Sequence, residues 1–402
     1  MTLKPLSDLV VLDMTRVLAG PLCTMILADL GATVIKIEHP QRGDDTREWG
    51  PPWLGSDDTR QSAYFLSVNR NKKSMTINLK NPKGIEIIRQ LILQSHVLIE
   101  NFKVGQMASY GLGYADVHSI NPSMVYCSIS GFGQSGQYST RPGYDYVIQA
   151  MSGLMSITGM PNQEPQKVGV AIADVIAGLY AANGIQAALR YANLTGLGQH
   201  VDINLLETQL ASLVNIASNY LVSHQVPQRL GNSHPNIVPY QVFQAQDQGF
   251  VVAVGNDRQF TALCHLLELD ALATDQRFST NPSRVAHRET LIPILAERFL
   301  QRTASQWVEA LLALDIPAGQ INTVEQALND PHIQERGLIG TMPLSNGQDW
   351  AYVGSAIGLS ATPTQPYSAP PTLGEHTTEI LQNWLDYDLI QIEQLKQEGV
   401  IG

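Results

Sequence analysis

One carboxylate in the sequence is isolated among apolar neighbours. Asp174 is the only charged residue between Lys167 and Arg190, and it is surrounded by alanine, valine, isoleucine and glycine. Burying a carboxylate in such surroundings raises its pKa unless hydrogen-bond donors or a helix N-terminus stabilise the anion. A helix is predicted to begin at this point, so two interpretations stay open. Asp174 is either an ordinary N-cap residue or a poorly hydrated nucleophile with room for a substrate beside it.

A second candidate is the sequence GFGQSG at residues 131–136, which matches the GxGxxG pattern and follows a predicted strand. Dinucleotide binding requires a helix to begin at the third glycine, and residues 137–143 (QYSTRPG) do not allow one. We therefore predict a surface loop. Glu38 ends another predicted strand, which is the position of the acidic residue that binds the ribose in dinucleotide-binding folds. Residues 15–21, however, lack the glycine pattern that a pyrophosphate needs. A nicotinamide-dependent oxidoreductase is accordingly the weaker alternative.

Metal and serine-hydrolase chemistry have little support in the sequence. The 10 histidines occur singly, without an HExxH motif, so no metal site is predicted. No GxSxG elbow is present either. The three cysteines, Cys23, Cys127 and Cys264, are too far apart for a zinc or redox motif, so we expect free thiols in a reducing compartment. His39 follows a predicted strand, where it either touches a ligand or lies in solvent.

The elements that must position these residues alternate between strand and helix. Short apolar runs predict strands at residues 9–13, 33–38, 97–100, 124–129 and 200–205. Helices are predicted between them, at residues 21–29 and 83–95, and again from residue 175 to about 191. This alternation predicts an α/β fold with a doubly wound parallel sheet.

The 402 residues are enough for two or three domains. The sequence changes character near residue 220, where a proline-containing connection leads to a strand at 249–254 and three amphipathic helices at 258–267, 290–301 and 305–314. We predict a large domain at residues 1–219, a small domain at 220–329, and a return to the large domain at 330–402. The Gly255 and Asn256 pair follows the strand of the small domain.

Charge excludes several classes of partner. The net charge of −11 argues against binding to nucleic acid or to an anionic membrane, since either would need a basic surface. No export signal is visible near the N-terminus. Residues 168–189 are long enough to suggest a membrane span, but Asp174, Asn183 and Gln186 interrupt them. We therefore expect a soluble, cytoplasmic protein.

Taken together, the motifs resemble the class III coenzyme A transferases, the family that includes formyl-CoA transferase and carnitine CoA-transferase. Each motif is weak alone, but their order along essentially the whole chain is specific. The matching segments are VLD at 11–13, AGP at 19–21, LGA at 30–32, VIKIE at 34–38, NRNKKS at 69–74, ENF at 100–102, SGFG at 130–133, RPGYD at 141–145, AD at 173–174, GQHVD at 198–202 and LGEH at 373–376. Residues 232–240 also resemble the subgroup of succinate-hydroxymethylglutarate CoA-transferase.

The resemblance implies a Rossmann-like large domain, a smaller α+β domain and an interlocked homodimer. It implies that Asp174 attacks an acyl-CoA thioester, giving a mixed anhydride and then an aspartyl-CoA thioester, before CoA passes to a small acid, with dicarboxylic acids among the candidates. Coenzyme A is then a substrate, and no cofactor is permanently bound. Covalent catalysis of this kind suits a pocket that excludes water. We expect the Gly255 and Asn256 amides to stabilise the oxyanion.

The resemblance also implies a set of CoA contacts by position. These are Leu18, Ala19, His39, Ile77, Asn78, Leu79, Lys80, Asn101, Phe102, Lys103, Tyr144 and Asp145. Lys80 and Lys103 are candidate phosphate ligands. His39 and Ser109 stand where formyl-CoA transferase has arginines, so phosphate recognition must be redistributed. Arg16, Lys72 and Lys73 are the possible substitutes.

Two further alternatives share the fold or the ligand. The α-methylacyl-CoA racemases have a histidine before an aspartate where this chain has Tyr144 and Asp145. Without that imidazole, proton transfer between two bases lacks one partner, so an epimerase is disfavoured. A non-catalytic CoA-binding protein is the third possibility, and Asp174 in its complete motif argues against it.

Overall fold

A computed structural model describes residues 3–56 and 59–402. The chain forms two compact units. The first contains Met1–Leu154, Val168–Val222 and Arg336–Gly402, and the second contains Met155–Lys167 and Ser223–Glu335. The sequence-based boundaries at residues 220 and 329 differ from these limits by a few residues. They also place Met155–Lys167 in the large domain, whereas this segment belongs to the second unit.

The strands are β1 (Val10–Met14), β2 (Thr33–Glu38), β3 (Trp53–Leu54), β4 (Gln61–Ser62), β5 (Lys72–Thr76), β6 (Val97–Glu100), β7 (Val125–Ser130), β8 (His200–Asn204), β9 (Tyr240–Gln244), β10 (Gly249–Ala253), β11 (Ala318–Gln320), β12 (Ile339–Pro343) and β13 (Asp349–Val353).

The α-helices are α1 (Ala19–Asp29), α2 (Ala63–Ser67), α3 (Pro82–Leu93), α4 (Gln106–Ser109), α5 (Tyr114–Ile120), α6 (Asp145–Met151), α7 (Leu154–Ile157), α8 (Ile172–Thr195), α9 (Leu205–Ala211), α10 (Val214–Ser223), α11 (Asp257–Leu266), α12 (Asp270–Thr274), α13 (Asn281–Ala286), α14 (Arg288–Phe299), α15 (Ala304–Leu312), α16 (Val324–Leu328), α17 (Pro331–Glu335), α18 (Thr377–Leu385) and α19 (Leu389–Gln397). A 3-10 turn covers Asp45–Glu48.

The first unit is built on a parallel sheet of six strands, in the order β5-β2-β1-β6-β7-β8. The predicted α/β class with a parallel sheet is therefore confirmed. The chain runs from β1 outward through β2 to β5 and then returns to β6 on the other side of β1. At such a reversal the loops after neighbouring strands diverge and leave a crevice at the carboxyl edge of the sheet.

Both faces of this sheet are covered, which is why its strands read as continuous apolar runs. On one face, α1 and α8 pack over the sheet through Leu27, Ala177, Ala181 and Ile185. Gly178 permits the close approach of these helices, because a Cβ there would lie 2.7 Å from the Ala19 carbonyl oxygen. The other face is covered by α3 and α5 and by the C-terminal α18 and α19, and the core there includes Ile88, Leu91, Val117, Ile380, Leu381, Ile392 and Leu395.

Within the described residues, Ile172–Thr195 is long and apolar enough to cross a membrane by length and composition alone. Five of its alanines and Ile185 instead lie in the core beside the sheet: Ala173, Ala177, Ala181, Ala182 and Ala188. This helix also carries Asp174 in its first turn.

The second unit has its own core around a three-stranded antiparallel sheet in the order β11-β10-β9. Phe250, Phe260, Phe299 and Trp307 are buried between this sheet and its helices. The three predicted helices correspond to α11, α14 and α15. The short α12 and α13 between them were not predicted, because they are too brief to show a helical period.

Candidate functional site

Asp174 is the third residue of α8, and Ala171 occupies the N-cap position without a side-chain cap. The N-cap interpretation of Asp174 is therefore wrong. The cap comes from another helix: Asp145, the first residue of α6, accepts a hydrogen bond from the Ala173 N–H at 2.8 Å. Its second oxygen accepts one from the Gln149 side-chain amide at 2.8 Å. Asp145 thus caps the N-terminus of α8, so the Asp174 carboxyl is not needed as the helix cap.

The surroundings of Asp174 disfavour the ionised form of its carboxyl. Burial, with a smaller contribution from the Asp145 carboxylate, raises its pKa to about 7. Among the described residues, no side chain or backbone amide donates a hydrogen bond to it, and no cation forms an ion pair with it. Near neutral pH it is consequently divided between a neutral acid and a basic, poorly stabilised carboxylate.

Tyr64 brings a hydroxyl to the same region. Burial, together with the charges of Asp174, Asp145 and Asp44, raises the pKa of Tyr64 to about 12. The hydroxyl therefore stays protonated and is available as a hydrogen-bond donor. The ring is held by an edge-to-face contact with Trp49, with ring centroids 5.2 Å apart. No spacing in the sequence singled out Tyr64, because α2 is a short helix far from Asp174 along the chain.

The glycine-rich segment that precedes α6 forms a loop. Gly131 and Gly143 meet at its base, where a Cβ on Gly131 would lie 2.6 Å from the Gly143 Cα. The next helix begins only at Asp145, so no helix follows the third glycine of the GxGxxG match. This loop lacks the geometry of a dinucleotide site.

A cavity of ≈ 250 Å³ opens at the carboxyl edge of the parallel sheet. Its apolar and aromatic lining comes from the strand ends and the loops after them: Met14, Ile37, Ile77, Leu79, Phe102 and Tyr110. Its charged and polar lining includes Arg16, His39, Arg42, Lys80, Asn78, Gln106, Glu38, Asp44 and Asp45. The cavity therefore offers an apolar floor with cations at its edge.

The cavity gathers only part of the predicted contact set. His39, Ile77, Asn78, Leu79, Lys80, Phe102 and Arg16 line it. The other predicted residues, Leu18, Ala19, Asn101, Lys103, Tyr144 and Asp145, do not. Asn101 instead binds both the backbone N–H and the carbonyl of Arg16, at 3.0 and 2.7 Å.

Arg42 is a cavity residue that the sequence did not indicate. It lies close enough to His39 that burial, Arg42 and Lys80 together lower the pKa of the imidazole. Three basic groups are thus clustered at one side of the cavity. Such a cluster attracts a multiply charged anion.

Lys72 is not available to a ligand, which corrects one prediction. Its ammonium group is buried and donates to Asp13 at 3.1 Å, to the Pro21 carbonyl at 2.9 Å and to Asn69 at 2.9 Å. Burial lowers the pKa of Lys72 to about 8 in spite of the Asp13 carboxylate. Lys73 is also engaged, since it forms an ion pair with Glu379. Neither lysine therefore replaces the missing arginines.

The buried charges hold the loop between β1 and α1. Lys36 donates to the Thr15 carbonyl at 2.9 Å and forms an ion pair with Asp44 at 2.8 Å, entirely out of solvent. Asp44 in turn accepts a hydrogen bond from the Val17 N–H at 3.2 Å. Val17 has a φ of 74°, a conformation that β-branched residues rarely adopt. The surrounding network supports this strained loop beside the cavity.

The Gly255 amide is already hydrogen-bonded, which argues against its part in the predicted oxyanion hole. The Gly255 N–H donates to the Gln259 side chain at 2.8 Å. The Asn256 side chain caps α11 by accepting from the Gln259 N–H at 2.9 Å. The Gly255 amide and the Asn256 side chain are therefore used inside the second unit, and the role of the Asn256 backbone amide stays a prediction. Among the described residues, no group of three His, Cys, Asp or Glu side chains is arranged to hold a metal ion.

Comparison with known proteins places these observations in a family. The model for CoA-transferase family III matches residues 6–377. Human succinyl-CoA:glutarate CoA-transferase is 44% identical over 399 residues, covering 99% of this chain and 90% of the human protein. The succinate–glutarate CoA-transferase of Agrobacterium fabrum is 45% identical over 379 residues, covering 94% and 95%. The crystal structure of a CAIB/BAIF family protein from Brucella suis matches with a TM-score of 0.84 at 43% identity, covering 96% of this chain and 100% of that one.

Proposed function

Because the chain belongs to CoA-transferase family III, we propose that it transfers coenzyme A from succinyl-CoA, or a similar dicarboxylic thioester, to a dicarboxylic acid such as glutarate. The names of its relatives in human and Agrobacterium fabrum support this choice of acids. The observation that carries the proposal is the Asp174 carboxyl, half-buried, with a pKa of about 7.

In the proposed reaction the Asp174 carboxylate attacks the thioester carbonyl and expels CoA as a thiolate. The thiolate then attacks the aspartyl carbonyl of the mixed anhydride, so the donor acid leaves and an aspartyl-CoA thioester remains. The acceptor carboxylate attacks that thioester to form a second anhydride, and the thiolate takes the acceptor acyl group. Asp174 is regenerated. A carboxylate of raised pKa is a stronger nucleophile than an ordinary one, which suits the first addition, by Asp174.

The Tyr64 hydroxyl is the donor we assign to the oxyanions of these steps. Its pKa of about 12 keeps it protonated near neutral pH, and the contribution of the Asp174 charge to that pKa supports a role near the reacting carboxyl. It is also coupled to Asp44, which lines the cavity at the sheet edge. The charges of Asp174 and of the cavity residue Asp44 thus both act on Tyr64, which supports its assignment to the site.

The nucleotide end of CoA is assigned to that cavity. The apolar floor suits the adenine ring, and Arg42 and Lys80 suit the phosphates, whereas Arg16 already forms an ion pair with Asp45 at 2.7 Å. Since the whole chain carries a net charge of −11, binding depends on these placed cations and not on long-range attraction. CoA enters and leaves as a substrate, and we assign no permanently bound cofactor.

We propose a homodimer, interlocked as the family resemblance implies. Large apolar side chains on α6 and α8 are exposed in the single chain, among them Tyr146, Val147, Leu179, Tyr180 and Leu194. A patch of this kind is typical of a protein interface. Light scattering after size-exclusion chromatography measures the mass directly, and a monomer at micromolar concentration would contradict the assignment.

We also propose a cytoplasmic location. All three cysteines are buried free thiols, as expected in a reducing compartment. Cell fractionation with an antibody to the chain tests this, and recovery in an oxidising compartment would contradict it.

The reaction is tested with a matrix of acyl-CoA donors against carboxylic acids, read by chromatography of the CoA esters. The expected result is exchange between succinyl-CoA and glutarate that is lost in Asp174→Asn. Asp116→Asn is the matched control, because Asp116 is also the third residue of its helix but is hydrogen-bonded to the Gly113 N–H. Absence of exchange with every acid, or full activity of Asp174→Asn, would refute the proposal.

A further inference from the structure

A buried glutamate that the transfer reaction does not use lies directly behind the cavity. Glu100 ends β6 and is 4% exposed. Its carboxyl accepts a hydrogen bond from the Phe102 N–H at 2.8 Å, across the turn that follows the strand. Phe102 lines the cavity, and Asn101 in the same turn clamps the backbone of Arg16, another lining residue. Glu100 therefore fixes a turn that shapes one wall of the cavity.

A polar row extends from Glu100 across the sheet. In the strand register Glu100 pairs with Ser128, and Ser128 pairs with Asp202. The Ser128 hydroxyl interacts with the Glu100 carboxyl and lies 2.9 Å from the His200 Nε2. Asp202 accepts a hydrogen bond from the Gln134 N–H at 3.0 Å, at the glycine-rich loop. The carboxylates of this row thus each hold a loop at the carboxyl edge.

The surroundings of Glu100 make its ionisation sensitive to pH near neutrality. The titratable groups that face it are Tyr126 and Cys127 on β7, His200 and Asp202 on β8, and, beyond Tyr126, Tyr114, Asp116 and His118 on α5. Burial raises the pKa of Glu100 to about 7, with a smaller increase from Asp202, against the hydrogen bonds from Ser128 and Phe102. Burial also lowers the pKa of His200, so the imidazole does not supply a compensating charge at neutral pH.

We propose that Glu100 is a positioning residue for coenzyme A, whose ionised carboxylate holds the Phe102 turn in its binding conformation and whose protonation releases it. The inference rests on the proposed function, in which this cavity takes the nucleotide end of CoA. A hydrogen bond to a charged acceptor is stronger than one to a neutral acceptor, so protonation weakens the hold on the Phe102 amide. CoA affinity then falls as the pH falls through neutrality, separately from the titration of Asp174.

The test is equilibrium binding of CoA by calorimetry between pH 8.5 and pH 6.0. Wild type is compared with Glu100→Gln, which keeps the shape and removes the charge, and with Glu86→Gln, an exposed control on α3. The CoA phosphates and His39 titrate in all three proteins, so the ratio of Kd values isolates Glu100. We expect Glu100→Gln to bind about fivefold more weakly than wild type at pH 8.5 and equally at pH 6.0. Glu86→Gln follows wild type throughout.

A second variant changes the ionisation of Glu100 without replacing Glu100 itself. The Ser128 hydroxyl favours the ionised form of Glu100, so Ser128→Ala should move the midpoint of the affinity curve upward by about one pH unit. A merely structural role would not move this midpoint, and the measurement decides the case even if Glu100→Gln fails to fold.

A Kd ratio that is independent of pH, or an unmoved midpoint in Ser128→Ala, would overturn the role of Glu100 while leaving CoA transfer intact. Failure of the wild type to bind CoA at any pH would overturn both this inference and the proposed function.

Discussion

Replacing Asp174, the proposed nucleophile, should make the protein more stable. In Asp174→Asn a neutral amide takes the place of a half-buried carboxylate that lacks a hydrogen-bond donor among the described residues. Burial and the neighbouring Asp145 carboxylate raise the pKa of Asp174 from 3.8 to about 7. The folded state therefore disfavours the anion that the unfolded chain accepts freely, and the substitution removes this conflict.

The sign and size of the effect follow from linkage. Below pH 3.8 the Asp174 carboxyl is neutral in the folded and the unfolded state, so it does not affect the free energy of unfolding. Between pH 3.8 and about 7 it ionises readily only in the unfolded chain, so its destabilising effect grows with pH. Above about pH 7 this effect is constant. About three pH units at 1.36 kcal/mol each set a ceiling of about 4 kcal/mol. Because the carboxyl is partly open to solvent, we expect about 2 kcal/mol, or about 2 °C in Tm for a chain of 402 residues.

The assay is thermal unfolding of wild type and Asp174→Asn from pH 5 to pH 8.5. The gain should be largest above pH 7 and fall to about two-thirds of that value at pH 5. Asp116→Asn is the control, because its carboxylate occupies the same helix position with a hydrogen bond from Gly113; it should gain nothing. Equal stability of Asp174→Asn and wild type at pH 8, or a gain that does not change with pH, would refute the reasoning.

Four other substitutions test separate parts of the structure. Arg42→Ala should raise the KM for succinyl-CoA about tenfold and change kcat less than twofold, because it removes a charge-assisted phosphate contact; an unchanged KM in steady-state kinetics would exclude Arg42 from the site. Tyr64→Phe should lower kcat about tenfold with little change in KM, since the donor acts on the developing oxyanion; an effect confined to KM would contradict this. Lys72→Met should destabilise by about 3 to 5 kcal/mol in urea unfolding, because it leaves a buried carboxylate unpaired, whereas Lys73→Met at a partly exposed pair should cost under about 1 kcal/mol. Equal effects of the two lysine variants would contradict the assignment of Lys72 to the interior.

The parallel sheet could be predicted because buried strands and their helices leave a periodic record in the sequence. Residues 33–38 form the predicted strand, and the predicted helix at residues 83–95 is observed as Pro82–Leu93. The limits of the second unit could not be predicted in the same way. Met155–Lys167 contains little regular structure, and only its contacts assign it to that unit.

The candidate site was harder to predict because it depends on the direction of side chains. Lys72 and Lys73 look equivalent in sequence, but successive residues of a strand face opposite sides, so Lys72 enters the interior and Lys73 reaches the surface. Arg42 and Tyr64 lie on a loop and a short helix whose positions no local pattern determines. Asp174 was identifiable because a lone carboxylate in an apolar helix is costly wherever the helix packs.

The central claim is that the Asp174 carboxyl becomes covalently acylated during CoA transfer. The most direct measurement is to incubate the protein with succinyl-CoA, quench with hydroxylamine and locate the hydroxamate by peptide mass spectrometry. The account predicts a hydroxamate on Asp174 that requires succinyl-CoA and is absent from Asp174→Asn. A hydroxamate on another residue, or turnover by Asp174→Asn at the wild-type rate, would contradict it.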